Sequence, residues 1–222
     1  MSVEIMWLGQ SCFRLRDRSA TVVTDPYGKT VGLTLPRVRA DIVTVSHDAE
    51  GHNNVKGVKG DFRVLSGPGE YEIASVFVTG LELRGERKAS KKDKDAPPHN
   101  TVFLFEFEDL TICHLGDLTS VPSQAQVEEA LGEVDVLLVP VGGGNSLSAA
   151  QAAEVVSLLE PHIVIPMHYK VPGNSLKLEP VSKFLKEMGL DKVQPQETLK
   201  VSRGGLPDET QVVLLEVKSK DE

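Results

Sequence analysis

The order of hydrophobic and polar positions predicts strands along the whole chain and helices only in its second half. Short apolar runs that are rich in β-branched residues and end at Gly, Pro or charged positions are typical of strands. They predict strands at residues 3–8, 12–15, 21–24, 43–46, 62–65, 71–78, 101–107, 110–115, 134–139, 163–165 and 212–217. Helical spacing, in two cases behind a Ser with Gln three residues later, predicts helices at 123–131, 148–159 and 178–188. The chain thus opens as a β-meander and then repeats strand, helix and strand, which implies parallel pairing and an α/β fold.

Histidine and aspartate side chains follow the ends of three of these strands. His47 and His52 lie in the loop behind the fourth predicted strand, Asp117 lies behind the eighth, and His168 ends the tenth. Active sites of layered α/β folds lie at the carboxyl ends of the strands. A histidine pair in a loop is more often solvated than bound to a metal, and a single buried histidine more often belongs to the core. The agreement of three strand ends favours a common metal site over these alternatives.

Five other features keep two interpretations each. Asp25, which precedes a proline, either supports the histidine loop or forms an Asx turn. Glu50 lies between the two histidines and Glu70 follows a Gly-Pro-Gly turn, so each is either an oxygen ligand or a solvated glutamate. His114 is out of phase with its apolar neighbours, which favours a packing role. The triple glycine at 142–144 could cradle a phosphate, but it lacks the lysine and the spacing of nucleotide-binding motifs.

The stretch Ser-His-Asp-Ala-Glu-Gly-His at residues 46–52 resembles the signature Ser/Thr-His-x-His-x-Asp-His of the metallo-β-lactamase fold superfamily. Ala49 and Gly51 stand where the signature has its second histidine and its aspartate. The string His-Leu-Gly-Asp-Leu at 114–118 resembles the fourth motif of the superfamily. The strand that ends at His168 resembles the fifth motif.

Two further strings resemble the lactonase-like branch of this superfamily, which includes L-ascorbate-6-phosphate lactonase. They are Trp-Leu-Gly-Gln-Ser-Cys-Phe at 7–13 and Pro-Gly-Glu-Tyr-Glu-Ile at 68–73. Gln10 stands where the branch often has a histidine, and Glu70 stands where other members have a metal-binding histidine. The resemblance covers residues 7–169, most of the chain.

The resemblance implies a four-layer αββα sandwich with a site for two metal ions. In the superfamily, one ion binds the first two signature histidines, a third-motif histidine and a bridging aspartate. The other ion binds the signature aspartate, the last signature histidine, the bridging aspartate and the fifth-motif histidine. Carried over to this chain, the first ion keeps only His47 and Asp117, whereas the second keeps His52, Asp117 and His168.

The reduced set implies a divalent metal, with zinc expected and iron or manganese as alternatives, and about one ion per chain. The implied catalytic residues are His47, as a general base or as the group that holds the water, and Asp117. The implied metal ligands are His47, His52, Asp117 and His168, with Glu50 and Glu70 as replacement carboxylates.

Composition narrows the class of protein and its partners. A chain of 222 residues with 40% hydrophobic content suits one globular domain over residues 1–222. The formal net charge of −8 argues against a nucleic-acid partner, and the absence of any apolar run near ~20 residues argues against a membrane span. Cys12 and Cys113, expected as buried thiols, and an N-terminus unlike a signal peptide suit the cytoplasm. The charged run at 84–98 predicts a mobile loop.

The sequence therefore predicts a metal-dependent hydrolase of a small-molecule substrate, namely a small ester, a lactone or a phosphorylated metabolite. The survival together of His52, Asp117 and His168 favours catalysis. Gly51, which replaces a metal-binding carboxylate, favours the alternative of a catalytically inactive protein of this fold that binds a metabolite or a partner. The sequence predicts neither the identity of the substrate nor the oligomeric state.

Overall fold

The computed structural model describes residues 1–83 and 100–218. The predicted mobile loop at 84–98 and His99, which has no predicted role, lie outside the described residues. The strands are β1 (Val3–Gly9), β2 (Cys12–Arg16), β3 (Thr21–Thr24), β4 (Ile42–Val45), β5 (Arg63–Ser66), β6 (Gly69–Ile73), β7 (Val76–Glu82), β8 (Thr101–Phe107), β9 (Leu110–His114), β10 (Val136–Pro140), β11 (Ile163–Met167), β12 (Leu199–Val201) and β13 (Gln211–Val212). The helices are α1 (Gln124–Gln126), continued by a π-helical turn at Val127–Leu131, α2 (Ala149–Leu159) and α3 (Val181–Glu187).

The described strands form two mixed sheets. The first has the order β12-β1-β2-β3-β4-β5 and begins as the predicted antiparallel meander, with parallel pairing from β3 onwards. The second has the order β13-β11-β10-β9-β8-β7-β6, in which β9, β10 and β11 run parallel. Parallel neighbours need a crossover, and α2 provides the one between β10 and β11. The predicted α/β sandwich, with the meander in one sheet and the later parallel strands in the other, is confirmed.

The larger apolar cluster fills the space between the two sheets. Alternate residues of the first sheet, among them Ile5, Val22 and Ile42, belong to the same fully buried cluster as Phe103 and Phe105 of β8. Such alternation is what a strand with one buried face requires. Helix α2 contacts β10 and α3, so α2 packs on the second sheet and α3 packs beside α2.

Among the described residues, irregular chain covers the outer face of the first sheet. Its outward residues Leu8, Val23 and Val43 pack against Tyr27 and other residues of the segment 27–58. The helical turns that the structure describes within this segment are short 3-10 turns. Four glycines and Pro36 interrupt this segment, and both residue types disfavour α-helix.

Residues 71–78, predicted as one strand, form a hairpin. Strands β6 and β7 pair antiparallel and are joined at Ala74 and Ser75, whose φ angles are 49° and 65°. Two-residue hairpin turns need such positive φ angles and usually carry Gly or Asn there. Because this turn carries neither, the sequence pattern gave no sign of it.

The predicted helices are confirmed with small changes at their ends. Ser123 and Ser148 form the predicted capping boxes. Helix α3 begins at Val181 because Pro180 disfavours helical backbone in the residue before it. Within the described residues, no helix combines the length and the apolar character that a membrane crossing requires.

Candidate metal centre

Four side chains that the sequence singles out converge in one cleft. His47 and His52 lie in the loop after β4 of the first sheet, whereas Asp117 and His168 follow β9 and β11 of the second sheet. All four line a cleft of about 440 Å³ and are at most 9% exposed. Other residues that line this cleft include Gln10, Glu50, Gly51, Asn145 and Lys177.

The three histidines direct their Nε2 atoms at one oxygen of Asp117. The Nε2 atoms of His52, His168 and His47 lie 3.2, 3.7 and 3.9 Å from Asp117 Oδ2. The ring centroids of His47 and His52 are 4.2 Å apart, and those of His52 and His168 are 6.1 Å apart. The ligand atoms of His47, His52 and Asp117 all lie within 4.8 Å of one another, so this group could hold a metal ion.

Asp25 holds the two histidines of the first sheet from behind. Its Oδ2 atom lies 2.9 Å from His52 Nδ1 and accepts from the Ser46 hydroxyl at 2.6 Å, while its Oδ1 atom accepts from the Ser46 amide at 2.7 Å. Because the Ser46 hydroxyl donates to Asp25, it accepts from His47 Nδ1 at 3.1 Å. Both rings therefore carry hydrogen on Nδ1 and turn Nε2 towards the cleft. Of the two interpretations of Asp25, the structure agrees with the one in which Asp25 supports the histidine loop.

His168 is fixed in a similar way from the second sheet. The Ser146 hydroxyl donates to the Gly143 carbonyl at 3.1 Å, so it accepts from His168 Nδ1 at 3.0 Å. The backbone of His168 is in the left-handed region, with φ of 51°, and its amide donates to the Gln10 carbonyl at 3.1 Å. Trp7 Nε1 donates to the same carbonyl at 2.9 Å. These bonds stabilise an unfavourable backbone conformation that directs the ring into the cleft.

The turn after β9 places Asp117. The Asp117 amide donates to Asn100 Oδ1 at 2.8 Å, and Asn100 Nδ2 donates to the Leu115 carbonyl at 2.9 Å. Gly116 has φ of 59°, and a Cβ there would lie 2.4 Å from Asn100 Oδ1 and 2.6 Å from Ser46 Cβ. Only glycine fits at a position so close to its neighbours. The two sheets are therefore in contact directly beside the cluster.

The donor set of the cluster fits a divalent cation. Asp117 Oδ1 is buried and has no hydrogen-bond partner among the described residues, which is costly for a carboxylate oxygen. Unprotonated Nε2 atoms that face a carboxylate repel it unless a cation or a proton lies between them. Imidazole nitrogens together with one carboxylate are common ligands of zinc, and they also suit iron.

Burial and charge set the protonation of the cluster without a metal. Burial lowers the pKa of His52, but the Asp117 and Asp25 carboxylates outweigh it and raise the pKa to about 10. For His47 and His168, burial prevails over the attraction of Asp117 and lowers the pKa. Burial raises the pKa of Asp117, but the neighbouring histidines outweigh burial and hold it below its usual range. At neutral pH His52 of the metal-free cluster is thus protonated on both nitrogens, with Nδ1 beside Asp25 and Nε2 beside Asp117.

Among the described residues, neither replacement carboxylate belongs to the group of side chains that could hold a metal ion. Glu50 is exposed at the edge of the cleft, and its Cγ lies 3.6 Å from where a Cβ of Gly28 would be. Glu70 is exposed on the edge strand β6 opposite Thr79 and lines a separate pocket. The physical reason is the hairpin at 74–75, which places β6 at the edge of the second sheet with this side chain in solvent.

The replaced signature position at Gly51 borders open space. A Cβ there would lie 3.5 Å from Val31 Cγ1 and 3.9 Å from Gln10 Nε2, both ordinary contacts. The Gln10 side chain, buried and lining the cleft, thus lies beside the volume that a side chain at 51 would fill.

The sequence patterns did not indicate three residues that position the cluster, namely Ser46, Asn100 and Ser146. They did indicate the packing role of His114. Ser46 is adjacent to His47, so its place in the signature string was an available signal. Asn100 and Ser146 lie 17 and 22 residues from the residues that they hold, and no local pattern connects them. His114 has the predicted packing role, since it is fully buried with Nε2 2.8 Å from the Ser11 carbonyl.

Known proteins are similar to this chain in both sequence and fold. Residues 4–168 match the model of the β-lactamase superfamily domain. A UPF0173 metal-dependent hydrolase of Pyrococcus furiosus is 37% identical over 194 residues, which are 75% of this chain and 84% of the relative. A UPF0173 protein of the same organism is 28% identical over 200 residues, 84% of this chain and 90% of the relative. A crystal structure from Thermotoga maritima, described as a proposed Zn-dependent hydrolase of the metallo-β-lactamase superfamily, is 40% identical with a TM-score of 0.77 and covers 97% of this chain and 100% of that chain.

With three quarters of its length matched by the family model, the chain belongs to the β-lactamase superfamily. Within that superfamily it is a metal-dependent hydrolase, as its full-length relatives are named. The resemblance to the lactonase-like branch stays a prediction.

Proposed function

We propose that the chain hydrolyses a small ester, a lactone or a phosphorylated metabolite with one zinc ion that His52, Asp117 and His168 hold and His47 adjoins. The observation that carries this proposal is the convergence of three Nε2 atoms on Asp117 Oδ2, whose partner oxygen Oδ1 is buried without a hydrogen bond. Two histidines and a carboxylate are the ligand count of a catalytic zinc with one open position. A bound zinc ion lowers the pKa of water from 15.7 to about 7 and polarises a carbonyl or phosphoryl oxygen.

The protein's own residues position the water and move its proton. His47 carries hydrogen on Nδ1, which donates to Ser46, so its Nε2 has a free lone pair towards the cleft. Because burial lowers the pKa of His47, the ring is neutral at pH 7 and can accept a proton. We therefore assign His47 as the general base and Asp117 as the carboxylate that orients the attacking water.

Other expectations for this protein accompany the proposal. The partner is a small-molecule substrate that fits a cleft of about 440 Å³. A nucleic-acid or membrane partner is not expected, given the formal net charge of −8. The cytoplasm is the expected compartment.

Metal content and a substrate screen test the proposal together. Zinc-loaded protein should contain about one ion per chain by mass spectrometry, and it should hydrolyse p-nitrophenyl acetate, a γ-lactone or bis(p-nitrophenyl) phosphate in a chelator-sensitive manner. Manganese and ferrous iron are tested in parallel as the alternative ions. Metal binding without turnover of any of these compounds would favour the inactive, ligand-binding alternative.

Restoring the signature tests the stoichiometry. The double variant Ala49→His, Gly51→Asp supplies a histidine and a carboxylate, and the contacts at Gly51 leave room for a side chain. We expect its content to rise from about one ion towards two. Two tightly bound ions in the unmodified protein would contradict the proposed single-ion site.

A further inference from the structure

Lys177 is an unpaired cation at the edge of the metal cleft. Among the described residues that line this cleft, it is the one Lys or Arg. Two neighbouring lysines have partners within the protein. Lys170 Nζ donates to the Asn174 carbonyl at 3.0 Å, and Lys183 forms a salt bridge with Glu179 at 2.7 Å. The Lys177 ammonium has neither a salt bridge nor a hydrogen bond within residues 1–83 and 100–218. It is therefore available to a ligand in the cleft.

The backbone that carries Lys177 is fixed on both sides. The Ser175 amide donates to the Val31 carbonyl at 2.9 Å, and the Ser175 hydroxyl donates to the Thr30 carbonyl at 2.7 Å. On the other side, the Glu179 amide donates to the Gly142 carbonyl at 2.9 Å. Because this segment is held before a ligand arrives, less ordering entropy opposes binding.

The loop beside Lys177 supplies uncharged donors. The amides of Gly144 and Asn145, both cleft residues, donate to no backbone carbonyl in the described part of the chain. Gly144 has φ of 71°, and a Cβ there would lie 3.4 Å from Leu178 Cδ2 and 3.9 Å from the Lys177 carbonyl. The loop therefore abuts the lysine segment, and exposed turn amides of this kind favour anions.

Lys177 is exposed where it lines the cleft. Glu50 is the other exposed charged residue among the described lining residues. Its side chain packs beside Gly28. The structure shows no salt bridge between Glu50 and Lys177. An ammonium that meets a carboxylate or a phosphate forms a charge-assisted hydrogen bond, about twice as strong as a neutral one.

We propose that Lys177, together with the free amides of Gly144 and Asn145, binds a carboxylate or phosphate group of the compound that is hydrolysed at the metal centre. This inference rests on the proposed function, because it names a property of the substrate of that site. The substrate is then an anionic small molecule whose scissile bond lies over the histidine cluster while its charged end lies at Lys177.

Calorimetric titration of three matched probes tests this subsite. Phenylphosphonate stands for a phosphate, benzoate for a carboxylate and benzamide for a neutral compound of similar size. Each is titrated into the zinc-loaded and the metal-free forms of wild type, Lys177→Met and the control Lys186→Met, whose exposed lysine lies on α3 outside the cleft. We expect Lys177→Met to weaken at least one anion about tenfold or more. Benzamide affinity and zinc content should not change, and Lys186→Met should behave as wild type.

The outcomes separate the two proposals. Equal anion affinities in wild type and Lys177→Met, or no anion binding by wild type, would overturn the subsite. If wild type binds no zinc, the proposed function fails, and the metal-free titrations still decide whether Lys177 binds anions. The stronger of the two anions identifies the charged group as a phosphate or a carboxylate.

Discussion

Two groups of acidic side chains in this protein differ in what surrounds them. Asp25 and Asp117 are buried among three histidines. Glu70 and Glu106 lie on the exposed face of β6 to β8, around Phe77, which is 52% exposed. The buried pair has neighbours that alter its protonation and fix its geometry, whereas water screens the charges of the exposed group. In this protein the carboxylate that the histidines surround is thus the candidate metal ligand, and the exposed carboxylates on β6 to β8 are not.

The largest effect that this comparison predicts is that of Asp117→Asn. The variant removes the negative charge, and one of two oxygens, from the group on which three Nε2 atoms converge. Loss of a residue that only hydrogen-bonds to a metal ligand typically lowers metal affinity about 10–100-fold. Loss of the ligand carboxylate itself should therefore lower zinc affinity by more than about 100-fold. Competition with a chromophoric zinc chelator measures the affinity, and circular dichroism checks the fold. Unchanged affinity and activity would remove Asp117 from the site.

Asp25→Asn should have the next largest effect. Asp25 has φ of 38°, a conformation that Asn also tolerates, so the backbone should be kept. Asn offers one acceptor oxygen where three donors now bond to Asp25, which frees the rings of His52 and His47. We expect zinc affinity to fall about 10–100-fold. The half-buried turn residue Asp17, changed to Asn, is the control and should leave the affinity as in wild type, since it lies outside the cleft.

The number of protons released on zinc binding tests whether Asp25 and Asp117 keep His52 protonated in the metal-free protein. The pKa of His52 is raised from its ordinary value of 6.5 to about 10 by the two carboxylates, which prevail over burial. Its proton therefore stabilises the metal-free fold fully below pH 6.5, and this contribution is lost as the pH rises through about 10. Zinc needs a free Nε2, so binding at pH 8 should release about one proton per ion. Calorimetry in buffers of different ionisation enthalpy measures this number, and a value of zero would contradict the assignment.

The smallest effect should come from Glu70→Gln. This side chain is exposed on β6 and lines a pocket separate from the cleft. We expect zinc affinity and hydrolysis to stay within twofold of wild type, as for surface changes in general. A clear loss of bound zinc would show that the comparison between buried and exposed carboxylates is wrong.

Much of the fold was predictable because strand alternation is a local property. The meander, the parallel later strands and both capping boxes follow from residues close together in the chain. The hairpin at Ala74 and Ser75 was not predictable, since its positive φ angles occur without Gly or Asn. Among the site residues, His47, His52, Asp117 and His168 carried the signal of strand ends.

The partners of these four residues were harder to predict. Asn100 and Ser146 reach the cluster only through contacts between distant segments. Glu70 was either an oxygen ligand or a solvated glutamate by sequence, because its exposure depends on which sheet edge its strand joins. Burial, which decides the chemistry here, is a property of the assembled fold.

Anomalous diffraction from a zinc-soaked crystal tests the central claim most directly. The account predicts one strong peak per chain at the zinc edge, within bonding distance of His52 Nε2, His168 Nε2 and a carboxylate oxygen of Asp117. The claim would be contradicted if zinc bound fully at other sites in the crystal while the cleft showed no peak. A peak in the cleft that Asp117 does not contact would also contradict it.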